Sequence, residues 1–427
     1  MSRMTVAVVA AALVAGVVMR FVWPDLVEFK HDEAWTVAKT REMVGRGEFP
    51  PLGMPSSRDV RNPPLSVWAF APLGLVFGTE PEDLARGVAV GSVLALVGVL
   101  AFARRCVPPG EREPWAWAVA LAAVNPIAVL YHRKVWPPCV TPLLCLAGLA
   151  GYWYRDRRWG AALWGFVTGI VGQIHIIGFW FAAGLGLWAL LFDRRRTRWL
   201  WVVLGGAVGV VPMLPWVRYV LTGGPGTGER MFDLKRLVGA KFWTYWVTEP
   251  VGIGAEYHLG GRTTEYLRGP ELGGVPTHLV AVAYGVAVLA AVGVLVLAVR
   301  RGRRLRPWFV EWLRGGASPT DFLVKAGFLG FGLVFTLSLV MFNRHYLVVA
   351  FPLPFLWLAR SALGAGATAG EQRWGRACLT ALVAAQAVLT AALLLDLHGH
   401  GGGPLDGFGK SYGRQVREGD VWPVPPW

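Results

Sequence analysis

Charged side chains are scarce in this chain: Asp, Glu, Lys and Arg make up 16% of its 427 residues, against 54% hydrophobic. With mean hydropathy at +0.45, too little polar surface remains to cover a soluble globule of this size. An ordinary water-soluble enzyme is excluded. Cysteine is scarce as well. The four present, Cys106, Cys139, Cys145 and Cys378, lie in or near apolar runs and form no CxxC pair, so they read as small apolar side chains and not as metal or redox groups. No small-x-small cleavage site follows the first apolar run, Thr5 to Val22, which passes into FVWPDLVEF. That run is too long for a signal-peptide core and reads as a retained anchor.

What the chain has in quantity is apolar runs. A helix rising about 1.5 Å per residue needs about 20 residues to cross a bilayer, and runs near that length recur at 5–22, 86–103, 115–131, 135–154, 159–174, 177–192, 199–220, 277–299, 322–342, 345–361 and 377–396. The expectation is an all-α polytopic membrane protein with about eleven crossings. The net charge of +15 is no sign of nucleic acid, because the arginines stand in short clusters between the runs: Arg104-Arg105, Arg155 with Arg157-Arg158, Arg194 to Arg196, and Arg300 to Arg306. That is the positive-inside pattern, with anionic lipid as counter-charge. Every second loop is then external: 23–85, YHRK near 131, GQIH near 172, the long loop 221–276, NRH near 343, and a glycine-rich, flexible tail, 398–427, which either folds back as a lid or hangs in solvent. The segment 62–78 is apolar enough to span, but as a crossing it would reverse every later cluster. It is expected to lie along the outer surface, with Asn62 as a cap, Pro63 or Pro64 in the first turn, and Pro72 and Gly74 weakening it. Residues 33–46 read as a short interfacial helix, with Ala34, Val37, Ala38 and Val44 on one face and Thr36, Lys39, Thr40 and Met43 on or near the other.

The external pieces gather reactive side chains on one membrane face. In HDEAW (31–35), Asp32 and Glu33 stand beside His31. Adjacent acids at a helix start suit the N-terminal dipole, and a carboxylate at the membrane surface also suits a general base for a hydroxyl arriving from water. A base alone suffices where the leaving group departs without a proton, as a lipid phosphate does; such a group needs cations. Arg61, Arg133, Lys134 and Arg344 are the candidates, each with snorkelling to headgroups as the alternative. Gln173 and His175 in GQIHIIGF read as hydroxyl-binding groups, His175 alternatively as a helix-end histidine or a metal ligand. His31, Asn62, His345 and Tyr346 complete the candidate substrate contacts. For a metal, His31, Asp32, Glu33, Glu256, His258 and His345 are available, but without HExxH or a close cluster. FWTYW (242–246) suits sugar or prenyl contact, or an interfacial aromatic belt.

Four stretches, in this order, resemble the GT-C superfold, and within it the protein O-mannosyltransferase and aminoarabinose-transferase group of membrane glycosyltransferases (family 39-like): DEAWTVAKTREMVGRGEF (32–49), RNPPLSVWAFAPLGLVFG (61–78), YHRKVWPPCVTPLL (131–144) and NRHYLVVAFPLPFLWLA (343–359). The resemblance loosely covers about 20 to 360. It implies transfer of a hexosyl or pentosyl group from a polyprenyl-phosphate carrier to a glycan, lipid or protein hydroxyl on the extracytoplasmic side of a bacterial-type plasma membrane, with Asp32 as base and Glu33 orienting it or the acceptor. Two departures stand out. Asn62 replaces a Lys common before the proline pair, which passes phosphate contact to Arg61, and Pro138 replaces an Asp common in the later turn, which puts a family-style divalent metal in doubt. Direct displacement by the acceptor implies inversion. The alternative from another class is a lipid or sugar transporter or flippase, for which internal repeats and polar groups at mid-bilayer are the expected marks; the sequence shows no convincing repeat.

Overall fold

A computed structural model describes residues 1–55, 60–224, 240–304, 318–338, 340, 342–364 and 366–423. Part of the expected loop 221–276, the end of the Arg300 to Arg306 cluster and residues 424–427 lie outside the described residues. The chain is built almost wholly of helices: α1 (Arg3–Phe21), α2 (His31–Arg46), α3 (Leu65–Trp68), α4 (Ala71–Phe77), α5 (Pro81–Cys106), α6 (Arg112–Val124), α7 (Pro126–Tyr131), α8 (Pro142–Trp153), α9 (Arg158–Ile174), α10 (Ile177–Phe192), α11 (Trp199–Gly209), α12 (Leu214–Leu221), α13 (Lys241–Thr248), α14 (Glu256–Leu259), α15 (Thr263–Arg268), α16 (Leu279–Arg304), α17 (Pro319–Lys325), α18 (Phe331–Leu337), α19 (Leu353–Leu363), α20 (Ala369–Gly399) and α21 (Tyr412–Glu418). A short antiparallel ladder pairs Glu271–Leu272 with Val275–Pro276.

Among the described residues, five stretches are continuous and apolar enough to cross a bilayer: α1, α5, α16, Pro319–Leu337 and α20. Two bent pairs raise the number to seven, α11 with Val211–Leu221 at 44° and Arg344–Ala350 with α19 at 80°. Of the four expected runs outside these seven, 159–174 and 177–192 form the uninterrupted but short α9 and α10, of 17 and 16 residues, and proline cuts the other two. Asn125 and Pro126 divide the run 115–131, Asn125 Oδ1 accepting from Ala128 N at 3.0 Å to start a new helix. Pro137, Pro138 and Pro142 reduce 135–154 to a turn and the twelve-residue α8. Breaks of this kind are tolerated within a bilayer where neighbouring helices satisfy the freed backbone groups.

α6 lies at the centre, with every residue from Pro114 to Val124 buried, and α1, α5, α19 and α20 pack around it. α9 and α11 approach closely through glycines spaced four apart, Gly165 and Gly169 against Gly205 and Gly209. A Cβ on Gly169 would stand 2.7 Å from the Gly209 carbonyl carbon, the small-residue contact that holds helices together in lipid. The two ends of the bundle carry different charge groups. At one, Thr5 and Arg376 bond Glu113 at 3.0 and 2.7 Å and Arg155 pairs with Asp193 at 2.5 Å. At the other, about 28 Å away along α1, are Arg133, Lys134 and the acid-bearing loop.

In that loop, α2 starts two residues earlier than expected and is packed on more sides. Thr36, Thr40 and Met43 are buried along with Ala34 and Val37, because α4 crosses it. A Cβ on Gly74 would stand 2.8 Å from the Thr40 methyl and 3.0 Å from that of Val44. Residues 62–78 form two short helices, α3 and α4, with Pro72 in the first turn of the second. Asn62 is not their cap. Its Nδ2 donates to Met54 O at 2.8 Å and its backbone N to the same oxygen at 2.9 Å.

The segment after 398 folds back, and residues 402–417 dock on the rest of the chain. Backbone N–H groups of Tyr412 and Gly413 donate to Val27 O and Asp25 O at 2.9 and 3.1 Å, Gln415 Nε2 donates to Phe29 O at 2.6 Å, and the Tyr412 ring meets Phe29 edge-on at 5.0 Å. Glycine permits this: Gly401, Gly402 and Gly409 adopt positive φ, which folds a tight return that an all-L sequence would resist.

Candidate active site

The adjacent acids diverge. Glu33 points inward and is buried. Its Oε2 accepts from Lys30 N at 3.0 Å, closing the first turn of α2, and its Oε1 lies 3.1 Å from Lys134 Nζ. Lys134 also pairs with Glu28 at 2.9 Å, and Glu28 in turn with Lys30 at 2.7 Å. Two carboxylates and two ammonium groups thus neutralise one another under the loop. Burial raises the Glu33 carboxyl above its ordinary value, against the pull of Lys134. Burial would also raise Glu28, but Lys134 and Lys30 outweigh it and hold that group below its ordinary value. Burial alone would lower Lys134, yet Glu28 and Glu33 hold it well above its usual range.

Asp32 points outward, its side chain 45% exposed. Oδ2 accepts a hydrogen bond from the Trp136 indole N–H at 3.2 Å, Oδ1 lies 3.6 Å from His31 Nδ1, and its carbonyl accepts from Thr36 Oγ1 at 2.8 Å. Behind Trp136 the rings close up: His345 stands edge-on at 4.7 Å and His175 at 6.3 Å, while Tyr346 lies 4.6 Å from His345 and 5.3 Å from His175. Three chain-distant turns, near 132, 175 and 345, therefore meet beside Asp32.

Arg344 lies one ring further on. Its guanidinium pairs with Glu249 at 3.1 Å and Glu256 at 3.3 Å and covers the Tyr245 ring at 5.0 Å. Burial pushes Glu249 up to about 7, Arg344 opposing and Glu256 reinforcing the shift. Arg344 and Glu249 line a cavity of about 490 Å³ whose other walls include Tyr131, Leu347, Phe351 and Phe355. Tyr131 also lies 6.3 Å from Trp136, so the cavity adjoins the Asp32 group. His258, 5.8 Å from Tyr131, is buried and pushed down to about 4 by that burial. Among the described residues no three His, Cys, Asp or Glu side chains group as metal ligands.

The expected site residues therefore divide. His31, Asp32, Glu33, Lys134, His175, His345 and Tyr346 come together, with Arg344 at the adjoining cavity. Arg133 does not join them as a phosphate ligand. Its guanidinium donates to Met19 O, Val22 O and Trp23 O at 2.8, 2.7 and 2.8 Å and closes the C-terminal end of α1. Gln173 is likewise engaged, its Nε2 donating to Gly169 O and Gly209 O at 2.7 Å each across the α9–α11 contact. Lys134 is committed to the buried carboxylates. Arg61 is half-buried in the loop before α3, its carbonyl accepting from Trp216 Nε1 at 2.6 Å. Sequence reasoning missed Glu28, Trp136 and Glu249. Glu28 and Trp136 stand within a few residues of HDEAW and of Arg133-Lys134, and that proximity was the available signal; nothing local marks Glu249.

No protein-family model matches the chain and no curated protein matches it significantly. Among solved structures, the chain is similar to the Archaeoglobus fulgidus oligosaccharyltransferase tethered with an acceptor peptide, at 13% identity and TM-score 0.48, over 100% of this chain and 60% of that one. It is similar to the archaeal oligosaccharyltransferase AglB from Archaeoglobus fulgidus in complex with an inhibitory peptide and a dolichol-phosphate at 13% identity and TM-score 0.43, over 99% of this chain and 60% of that one. It is also similar to ArnT from Cupriavidus metallidurans bound to undecaprenyl phosphate, at 14% identity and TM-score 0.40, over 93% of this chain and 80% of that one. The chain thus spans about 60% of the length of the oligosaccharyltransferase it matches.

Proposed function

We propose that this protein is a membrane glycosyltransferase that moves a sugar from a polyprenyl-phosphate donor to an acceptor hydroxyl, with the site on the extracytoplasmic face. The observation that carries the reading is the exposed Asp32 carboxylate, linked through Trp136 and Tyr131 to a largely apolar cavity that has Arg344 in its wall. Asp32 takes the acceptor's proton as its oxygen attacks the anomeric carbon; the bond from that carbon to the lipid phosphate breaks, and phosphate departs as the anion. Backside attack inverts the anomeric centre. Arg344, with Arg61, is assigned to the phosphate, Arg by the bidentate geometry it offers to phosphate oxygens. Occupation by phosphate then displaces Glu249 or Glu256 from Arg344. His31, His175, His345 and Tyr346 contact the sugar or acceptor. By the positive-inside rule the arginine-cluster end is cytoplasmic, which turns Asp32 outward.

The experiment is release of free polyprenyl phosphate from a panel of polyprenyl-phosphate sugars by purified protein in lipid, with candidate acceptors, comparing wild type with Asp32→Asn. General bases contribute about 10² to 10⁴ in rate, so the variant is expected to lose that much kcat with substrate KM largely kept. Full activity in Asp32→Asn would sink the mechanism. No release from any donor and acceptor would move the weight to the transporter reading, to be read by a lipid-flipping assay.

A further inference from the structure

Trp136 belongs to none of the roles so far assigned, yet its indole touches more of the site than any of them. Its N–H donates to Asp32 Oδ2 at 3.2 Å. Trp68, Trp199 and Trp216 spend the same group on the backbone carbonyls of Pro50, Arg194 and Arg61, Trp115 and Trp243 on threonine hydroxyls, and Trp117 on the half-buried Glu113 carboxylate that Arg376 also holds. Trp136 spends it on a carboxylate that water could solvate unaided.

The ring is held from several sides. Pro137 follows it, which confines Trp136 to extended backbone, and its φ of -141° and ψ of 140° conform. Its carbonyl accepts from Cys139 N at 2.9 Å. His345 meets the ring edge-on at 4.7 Å, and Lys134 Nζ lies 4.9 Å from its centroid. Lys134 is itself fixed by Glu28 and Glu33. The donor aimed at Asp32 is therefore as rigid as the buried ion network beneath it.

Resting on the reading of Asp32 as base, we infer that Trp136 is a positioning residue: it pins Oδ2 and leaves Oδ1, 3.6 Å from His31 Nδ1, to receive the proton of the incoming hydroxyl. A carboxylate on the surface rotates freely about its last bond, and a misplaced base loses rate without losing substrate affinity.

The test is a double-mutant cycle in the full-length protein in lipid, using Trp136→Phe, which keeps a ring and removes the N–H, with Asp32→Asn. Alone, Trp136→Phe is expected to lower kcat about tenfold with KM for donor and acceptor within about twofold. In the Asp32→Asn background it should cost nothing further, since there is no base left to orient. A merely structural tryptophan would cost the same factor in both backgrounds, or raise KM, and either result overturns the inference. Should Trp136→Phe fail to fold, replacement by benzothienylalanine, which keeps the bicyclic shape and lacks only the N–H, is put through the same cycle. Full activity of Asp32→Asn would defeat the base assignment itself, a result distinct from additivity of the two substitutions.

Discussion

Asp32 and Glu33 are successive residues of α2, and successive side chains on a helix point about 100° apart. That angle sends Glu33 to Lys134 and leaves Asp32 at the surface. The sequence made the pair legible as a helix start and as a candidate base, but which acid faces inward depends on Lys134, about a hundred residues away, and is not written locally. Glu249 is a sharper case. Nothing around it in WVTEPVG marks a buried acid, and its environment comes from Arg344 and from the cavity wall. Its carboxyl sits at about 7 against 4.5 ordinarily, raised by burial. Between those two pH values the folded protein holds a proton that the unfolded chain has released, so stability present below about 4.5 is lost as pH rises through about 7. At 1.36 kcal/mol per unit the loss is on the order of 3 kcal/mol. Glu249→Gln should flatten the fall of melting temperature between pH 5 and 8, read by thermal unfolding in detergent across that range. An unchanged slope would mean that the Arg344 pair already holds Glu249 charged throughout.

At the scale of elements, hydropathy located the helical runs and proline governed how they were cut. The run 345–361 reads as one apolar stretch, yet Pro352 and Pro354 turn it by 80° and bring His345 and Tyr346 to the site. A window average cannot see such a bend, because hydropathy is the same on either side of it. The same holds for Arg133 and Lys134. They are neighbours in sequence and alike in charge, but Arg133 closes α1 while Lys134 ties α2 to the turn that carries Trp136. Removing one partner from a buried ion group costs about 3 to 5 kcal/mol, because it leaves the other charge uncompensated. Lys134→Met is therefore expected to lower the melting temperature sharply and to reduce turnover with it. Adding Glu33→Gln should recover much of that stability, since Glu28 keeps Lys30 as its counter-charge at 2.7 Å. If the double variant is no more stable than Lys134→Met, the loss lies in packing around Trp136 and not in charge.

For the molecule as a whole, the docked C-terminal segment changes what the site depends on. Glycine-rich composition left open whether the tail folds back or hangs in solvent, and composition alone cannot decide because the same glycines that permit disorder also permit the positive-φ return at 401, 402 and 409. Residues 407–415 hold the chain from Asp25 to Lys30, the stretch that leads directly into Asp32. Gly407 O accepts from Lys30 Nζ at 2.8 Å, Gln415 reaches Phe29 O, and Tyr412 and Gly413 reach Val27 and Asp25. Each such bond contributes about 1 kcal/mol, too little to decide folding of a bundle this size but enough to decide whether one loop is ordered. Deleting residues 404–427 is thus expected to leave the helices intact by circular dichroism, to speed hydrogen exchange at the amides of 25–31, and to lower kcat about tenfold by loosening the base. Gln415→Leu, which removes the bond to Phe29 O together with those to Lys410 O and from Trp422 N inside the segment, should show the same effects in smaller degree. Faster exchange without loss of turnover would separate order in this loop from catalysis, and would leave Trp136 and the buried ion group sufficient to place Asp32.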